Sequence, residues 1–367
     1  MPGGPLLCIM GPTAAGKTDF AIELAERSGG ELISVDSALV YRGLDIGAAK
    51  PDYPHHLMDI RDPSEPYSAA AFVDDAVKAI GAIRERGKLP ILVGGTMLYY
   101  RALLQGLDDI PSSDPAVRAA IESEAAEKGW PAMHALLAEV DPVLAARLHP
   151  NHSQRISRGL EVWRMSGRPL SDWQRGAAVP AVDGEVEAIA ICPLDRAVLH
   201  QRIEQRFDQM LREGLVDEVR QLFVRKDLHP DLPSIRAVGY RQIWAYLNGD
   251  VDLDTARQQG IVATRQLAKR QLTWLRQWPK LKWLLTDSDG SLVRVQVGMQ
   301  EAMHEAMNEP ARAVSTDSGW DQFIARVAAR PSKIIGDSRK PLPLSQDEEL
   351  ISHLLKTVGN SLDFPQS

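Results

Sequence analysis

The sequence of 367 residues predicts an α/β fold in which a parallel sheet core is interrupted by an all-helical insertion domain. Three observations predict it. Short apolar runs at Leu6–Met10, Glu31–Val35 and Leu89–Val93 alternate with amphipathic stretches at Lys17–Ser28 and Ala69–Arg86. Near Pro111 the pattern changes to Ala/Glu-rich helical periodicity. It returns to an apolar run at Val186–Cys192. Apolar strands separated by helices are buried on both faces, which calls for parallel pairing with helical crossovers.

Each later element has its own signal. Ser112-Ser113-Asp114-Pro115 starts a helix, since Ser and Asp accept first-turn N–H groups and Pro tolerates the first helical position. Ala116–Val140 continues it, Asp141-Pro142 restarts it, and Asn151–Met165 forms a further helix ended by Ser166-Gly167-Arg168-Pro169. After the returning strand come helices at Ala197–Glu213 and Val216–Arg225, mostly helical chain from Leu232 to Trp278, and a last strand at Leu281–Leu285. The organisation expected is 1–111 as the first part of the core, 112–182 as the insertion, and 183–312 as the second part of the core. Residues 313–367 are read as a tail of unknown role, expected to be disordered apart from a helix near Glu348–Val358.

Composition bounds the function. The chain is 44% hydrophobic and 25% charged, with 42 Lys and Arg against 49 Asp and Glu for a net charge of −7, which excludes a fibrous or wholly disordered protein. No apolar stretch approaches the roughly 18 residues of a membrane span. Leu6–Met10 is too short for a signal sequence and runs straight into a glycine-rich turn. Cys8 and Cys192 lie far apart in apolar runs, so neither a disulfide framework nor a cysteine metal site is expected, and the location expected is cytoplasmic. Charge is unevenly spread. Arg257, Arg265, Lys269, Arg270, Arg276, Lys280 and Lys282 fall between Thr255 and Thr286 with no acid among them, and Arg147–Arg175 is also rich in arginine. On a helix, Arg265, Lys269 and Arg276 lie within about 40° of one another, a stripe suited to phosphates or simply a solvated face.

Gly11-Pro12-Thr13-Ala14-Ala15-Gly16-Lys17-Thr18 matches G-x-x-x-x-G-K-[ST] between an apolar run and an amphipathic helix, which makes the core P-loop NTPase-like. Its backbone N–H groups and the helix dipole would cradle an oligophosphate, with Lys17 neutralising phosphate oxygens and Thr18 facing Mg²⁺. A nucleotide hydrolase carries a Mg²⁺-holding Asp at a second strand end. Here the strand at Leu89–Val93 runs into Gly94-Gly95-Thr96, and the acid at a strand end is Asp36, either a general base or a turn residue. The histidines His55, His56, His149 and His152 read as loop or surface residues, and Trp163, Trp173, Trp244, Trp274 and Trp278 as core.

Together, Gly11–Thr18, Ile33–Tyr41, Asp45–Pro51, Gly94–Tyr99, Gln154–Arg158, Arg206-Phe207, Ser234–Gln242 and Thr264–Gln271 resemble the motifs of the tRNA dimethylallyltransferase (isopentenyltransferase) family, in family order from about residue 6 to 285. The tail has no counterpart. The resemblance implies transfer of a dimethylallyl group from dimethylallyl diphosphate to N6 of the adenosine 3′ of the anticodon, in tRNAs reading codons that begin with U. Gly11–Thr18 would then hold diphosphate, with Mg²⁺ at Thr18. Asp36 would be the base, and Thr18 and Arg206 would act on the leaving group. By itself Arg206 reads as an exposed residue on a charged helix.

The resemblance also implies tRNA contacts at Asp36-Ser37-Ala38-Leu39, Thr96, Arg118, Gln154-Arg155-Ile156-Ser157-Arg158, Arg236-Ala237-Val238-Gly239-Tyr240-Arg241 and Lys269-Arg270-Gln271-Leu272-Thr273-Trp274-Leu275-Arg276. The partners expected are the tRNA anticodon stem-loop and dimethylallyl diphosphate, with no membrane, and the chain is expected to be a monomer. Three rivals share the loop: a small-molecule kinase, an adenylate isopentenyltransferase and a non-catalytic RNA-binding module. The missing strand-end Asp weighs against the kinase. The helical insertion and basic stretches weigh against the nucleotide enzyme, and Asp36 would have no task in the binding module.

Overall fold

The computed structural model describes residues 4–108, 110–174, 179–279 and 281–286, together with the backbone of 292–297. The tail expected over 313–367, with its final helix, lies outside these residues. The chain divides into two compact units, one running to Tyr100 and resuming at Val182, the other spanning Arg101–Ala181.

The first unit opens with β1 (Leu6–Met10), α1 (Lys17–Ser28), β2 (Glu31–Val35), β3 (His55–His56), α2 (Ala69–Glu85), β4 (Pro90–Gly94) and α3 (Met97–Gln105), the last crossing the boundary at Tyr100. The second unit is helical: α4 (Pro115–Lys128), α5 (Trp130–Val140), α6 (Pro142–Ala145), α7 (Ser153–Ser166) and α8 (Leu170–Trp173). The first unit resumes with β5 (Val186–Pro193), α9 (Arg196–Glu213), α10 (Leu215–Phe223), α11 (Tyr240–Leu247), α12 (Leu253–Arg276), β6 (Lys282–Thr286) and β7 (Leu292–Val297).

The strands form one sheet in the order β3-β2-β4-β1-β5-β6-β7. Every pairing is parallel except β6 with β7. Strand β1 sits in the middle, Leu7 opposite Ile91 on one side and Glu187 on the other, and all five of its residues are buried. That is why its sequence is a continuous apolar run rather than an alternating one. Phe20, Ala21, Leu24 and Ala25 of α1 pack into the same core as Leu7, Ile9, Ile91 and Ile189. Because the strands run in parallel, their C-terminal ends share one edge of the sheet, and the segments after Met10, Val35 and Gly94 meet there.

The helical unit has its own core of Ile121, Met133, Leu137, Ile156 and Leu160. The Ala181 N–H donates to the Leu103 carbonyl at 3.0 Å, so its entering and leaving strands of chain lie side by side.

Several elements differ from expectation. The single helix predicted over Ala116–Val140 is two, because Pro131 has no N–H to offer a helical carbonyl and α5 must begin afresh at Trp130. The helical stretch from Leu232 is divided by Asn248–Asp252, where Asp252 caps α12 by accepting the Thr255 N–H at 2.7 Å. Strands β3 and β7 carried no clear signal: β3 is two residues long, and β7 is a short antiparallel edge strand.

Candidate active site

The loop between β1 and α1 follows from its glycines. Gly16 takes φ 86°, a left-handed conformation that costs a side-chain-free residue little, and it caps α1 without any side-chain hydrogen bond. The first-turn N–H groups of α1 therefore remain for an anion. Ala14 also has positive φ, 63°, and the alternation of hand turns successive N–H groups toward one side. The Ala15 N–H and the Lys17 ammonium both donate to the Pro12 carbonyl, at 3.3 and 3.2 Å. Burial, and then the neighbouring Arg206 cation, lower the Lys17 pKa from 10.5 to about 8, with Asp36 opposing them. Lys17, Arg206 and Asp36 thus share one electrostatic neighbourhood, and an anionic ligand there would relieve the repulsion between the two cations. Thr18 lies half-buried in the first turn of α1.

A cavity of about 480 Å³ opens at this edge of the sheet. Thr13, Asp36, Thr96 and Arg206 supply its polar lining, and Ala14, Ile203, Phe207, Met210, Leu267 and Trp274 its apolar lining. Such a wall suits a ligand with an anionic head and an apolar body. Asp36 is a turn residue that also borders the cavity. Its Oδ1 accepts the Ala38 N–H at 2.8 Å and the Leu39 N–H at 3.4 Å, fixing the turn after β2, while the side chain lines the cavity. Arg206 is not the exposed helix residue its local sequence implies. It falls on the same face of α9 as Ile203 and Phe207, which pack inward, and burial lowers its pKa against the opposing pull of Asp36 and Asp19.

A sequence model of the family described as IPP transferase matches residues 39–278, and one described as isopentenyl transferase matches residues 5–60. The chain belongs to the IPP transferase family. The tRNA dimethylallyltransferase of Thiobacillus denitrificans is 59% identical to it over 75% of this chain and 90% of that protein. The Bordetella pertussis protein of the same name is 57% identical over 75% and 90%. The full-length tRNA isopentenylpyrophosphate transferase of Bacillus halodurans superposes with a TM-score of 0.56 and 36% identity, covering 89% of this chain and 97% of its own. A eukaryotic dimethylallyltransferase acting on tRNA superposes with a TM-score of 0.63 and 26% identity, covering 77% and 74%.

The remaining residues that the family likeness singled out divide into those the fold exposes and those it buries. Ser37, Arg236, Arg241, Lys269, Arg270, Thr273 and Arg276 are exposed, as are Arg118, Gln154 and Arg155 of the helical unit. Ala38, Leu39, Ala237, Val238, Leu272 and Trp274 are half-buried. Thr96 accepts the Ser37 N–H at 3.2 Å.

The side chains of Ile156, Ser157, Tyr240, Gln271 and Leu275 are buried, which corrects their reading as RNA contacts. Ile156 belongs to the core of the helical unit, and Leu275 lies on the inward face of α12. Gly239 is buried as well, its N–H donating to the Gln242 side chain at 2.9 Å. The basic stripe on α12 also loses one member: Arg265 is bound to Glu204 at 2.8 Å. Trp274 lines the cavity instead of filling a core, and Trp163 is 37% exposed.

Two carboxylates that the sequence reading passed over organise these surfaces. Glu218 accepts the N–H groups of Asp45, Ile46 and Gly47 at 3.0, 2.7 and 3.1 Å and the Tyr240 hydroxyl at 2.6 Å, so it holds the 45–48 loop whose Gly47 and Ala48 line the cavity. In the helical unit, fully buried Glu161 accepts from Ser113 at 2.6 Å, the Asp114 N–H at 2.9 Å, Arg158 at 3.0 Å and Arg118 at 3.2 Å. Each is one acid on an amphipathic helix, a pattern too common to flag.

Proposed function

We propose that this chain transfers a dimethylallyl group from dimethylallyl diphosphate to N6 of the adenosine just 3′ of the anticodon in tRNA. The observation that carries the reading is the joint lining of one cavity by phosphate-loop residues, Arg206, Asp36 and an apolar wall. That combination fits a prenyl diphosphate and puts a carboxylate in the same cavity to take the N6 proton. Membership of the IPP transferase family, and relatives named tRNA dimethylallyltransferase, support it.

In the reaction, N6 attacks the first carbon of the prenyl chain, the new C–N bond forms, the C–O bond breaks, and its electron pair leaves with diphosphate. Loop amides, Lys17 and Arg206 carry the charge that develops on the departing diphosphate. Asp36 takes the N6 proton, its second oxygen and remaining lone pairs being what the turn does not use. The adenine must leave the anticodon stack to enter the cavity, so the RNA-facing surface should hold unstacked bases and phosphates. The exposed cations Arg236, Arg270, Lys269 and Arg276 are the candidates in the first unit, and Arg118 and Arg155, with the neutral Gln154, in the helical unit.

Mg²⁺ fits the loop on the chemistry of its donors. The Thr18 hydroxyl, in the first turn of α1, is the oxygen donor that would hold the ion beside the diphosphate. When bound there it would supply further neutralisation of the leaving group. Among the described residues no helix is long and apolar enough to cross a membrane.

The test is a transfer assay with dimethylallyl diphosphate labelled in the prenyl group, Mg²⁺ and unmodified tRNA, with AMP as the alternative acceptor. Label is expected in tRNA and not in AMP. Label in AMP alone, or ATP consumed without transfer, overturns the reading.

A further inference from the structure

Gln271 sits on α12, the helix whose exposed cations were read as facing RNA, yet its side chain is buried and points to the phosphate loop. Its Oε1 accepts the Thr13 N–H at 2.9 Å, and its Nε2 donates to the Gly95 carbonyl at 2.9 Å. The two partners belong to different strand-end segments: Thr13 to the loop after β1, Gly95 to the turn after β4. Gly95 is shaped for this contact, since a Cβ there would lie 2.3 Å from the Gln271 amide nitrogen. The second glycine of Gly94-Gly95-Thr96 is explained by the amide packed against it. Gln271 lines the cavity together with its neighbours on α12: Arg270 one residue before, Leu267 and Trp274 a turn to either side.

We propose that Gln271 is a positioning residue for the diphosphate cradle: it fixes Thr13 and the start of the phosphate loop against the Gly95 turn. It borders the cavity, but its amide oxygen and nitrogen are both engaged by backbone, so it acts through the loop rather than as an RNA contact. An amide is the group this task needs, because it accepts from one backbone and donates to another at the same time, whereas a carboxylate or an ammonium does only one of these. A buried backbone N–H left without a partner is costly, so removing the amide should let Thr13 swing away and spoil the pre-set direction of the loop N–H groups. The proposal rests on the prenyl-diphosphate reading of this site, but its first readout does not.

The experiment is Gln271→Met, close in volume and unable to bridge the two backbones. Three quantities are read: inorganic pyrophosphate affinity by calorimetry with Mg²⁺, the KM for dimethylallyl diphosphate, and tRNA affinity by filter binding. Pyrophosphate affinity is expected to fall about tenfold, with a matching rise in KM and with tRNA affinity changed less than twofold. A lower melting temperature with unchanged pyrophosphate affinity makes Gln271 a packing residue only and overturns the proposal. A loss confined to tRNA, or an equal loss of both ligands, overturns it too.

Should the methionine variant fail to fold, Gln271→Glu keeps an acceptor for Thr13 but offers Gly95 no donor, and the same loss of pyrophosphate affinity is expected. Unchanged affinity in that variant overturns the proposal. If wild type fails to transfer to tRNA while the variant still loses pyrophosphate, the functional reading falls and the positioning role stands.

Discussion

Lys17 should make diphosphate binding fall with rising pH in a range where most enzymes are insensitive. Lowering a lysine from 10.5 to about 8 corresponds to roughly 3 kcal/mol by which the charged form is disfavoured in the protein alone. Burial is the main cause, and Arg206 is the second. A bound diphosphate reverses the balance and needs Lys17 protonated. At pH 7 about nine-tenths of the lysine is charged, and at pH 9 about one-tenth, so affinity should drop about tenfold between them.

The assay is pyrophosphate binding by calorimetry from pH 6.5 to 9.5, run in parallel on wild type and Lys17→Arg. The ligand's own proton equilibria are common to both proteins, and the arginine stays charged throughout. The ratio of the two affinities therefore isolates Lys17. A ratio that stays flat between pH 7 and 9 would refute the reasoning. The sign for stability is opposite: the folded loop releases its proton at about 8 while the unfolded chain keeps it to 10.5, so this group's contribution to stability rises with pH between those values.

Further outcomes follow from other residues. Asp36→Ala should lower single-turnover transfer about a hundredfold or more while leaving tRNA affinity nearly intact, and unchanged turnover would remove Asp36 from the mechanism. Lys269→Ala with Arg276→Ala should weaken tRNA binding and reduce its salt dependence by about two phosphate contacts, and a salt slope equal to wild type would take these side chains off the RNA. Glu161→Ala should destabilise the helical unit by about 1–3 kcal/mol, because the Ser113 hydroxyl and the Asp114 N–H lose the buried carboxylate they donate to, along with the partly exposed Arg158 and Arg118. Chemical denaturation measures this, and a loss under about 1 kcal/mol would mean that the unit relaxes around these donors.

The phosphate loop was legible because its signal is local. Gly11–Thr18 is a contiguous pattern whose glycines, lysine and flanking strand and helix all lie within one βα unit, and α1 begins at Lys17 as the sequence reading placed it. The place of Asp36 at the cavity was legible for the same reason: a strand end in a parallel sheet points to one shared edge. Arg206 was misread from its neighbours, because a charged residue among charged residues looks exposed unless the partner of that helix face is known. The α12 stripe was half right. Periodicity put Arg265, Lys269 and Arg276 on one side of the helix, but only contact with α9 shows Glu204 claiming Arg265. Glu218 carried no signal at all, and Gln271 was marked only by the family likeness, as an RNA contact, since neither a glutamate near a helix start nor a glutamine in a basic helix departs from what solvated helices contain.

By itself the sequence determined the sheet core, the helical insertion, the phosphate loop and the acid at the strand end. These follow from short-range periodicity, capping and turn chemistry, which the chain encodes within a few residues of each element. Only the tertiary structure decided which cations stand beside Lys17, which helix closes the loop through Gln271, and which loop Glu218 holds. A side chain's charge, burial and partners depend on what packs against it from distant chain, and the linear order of residues leaves that open until the sheet has brought its strand ends together.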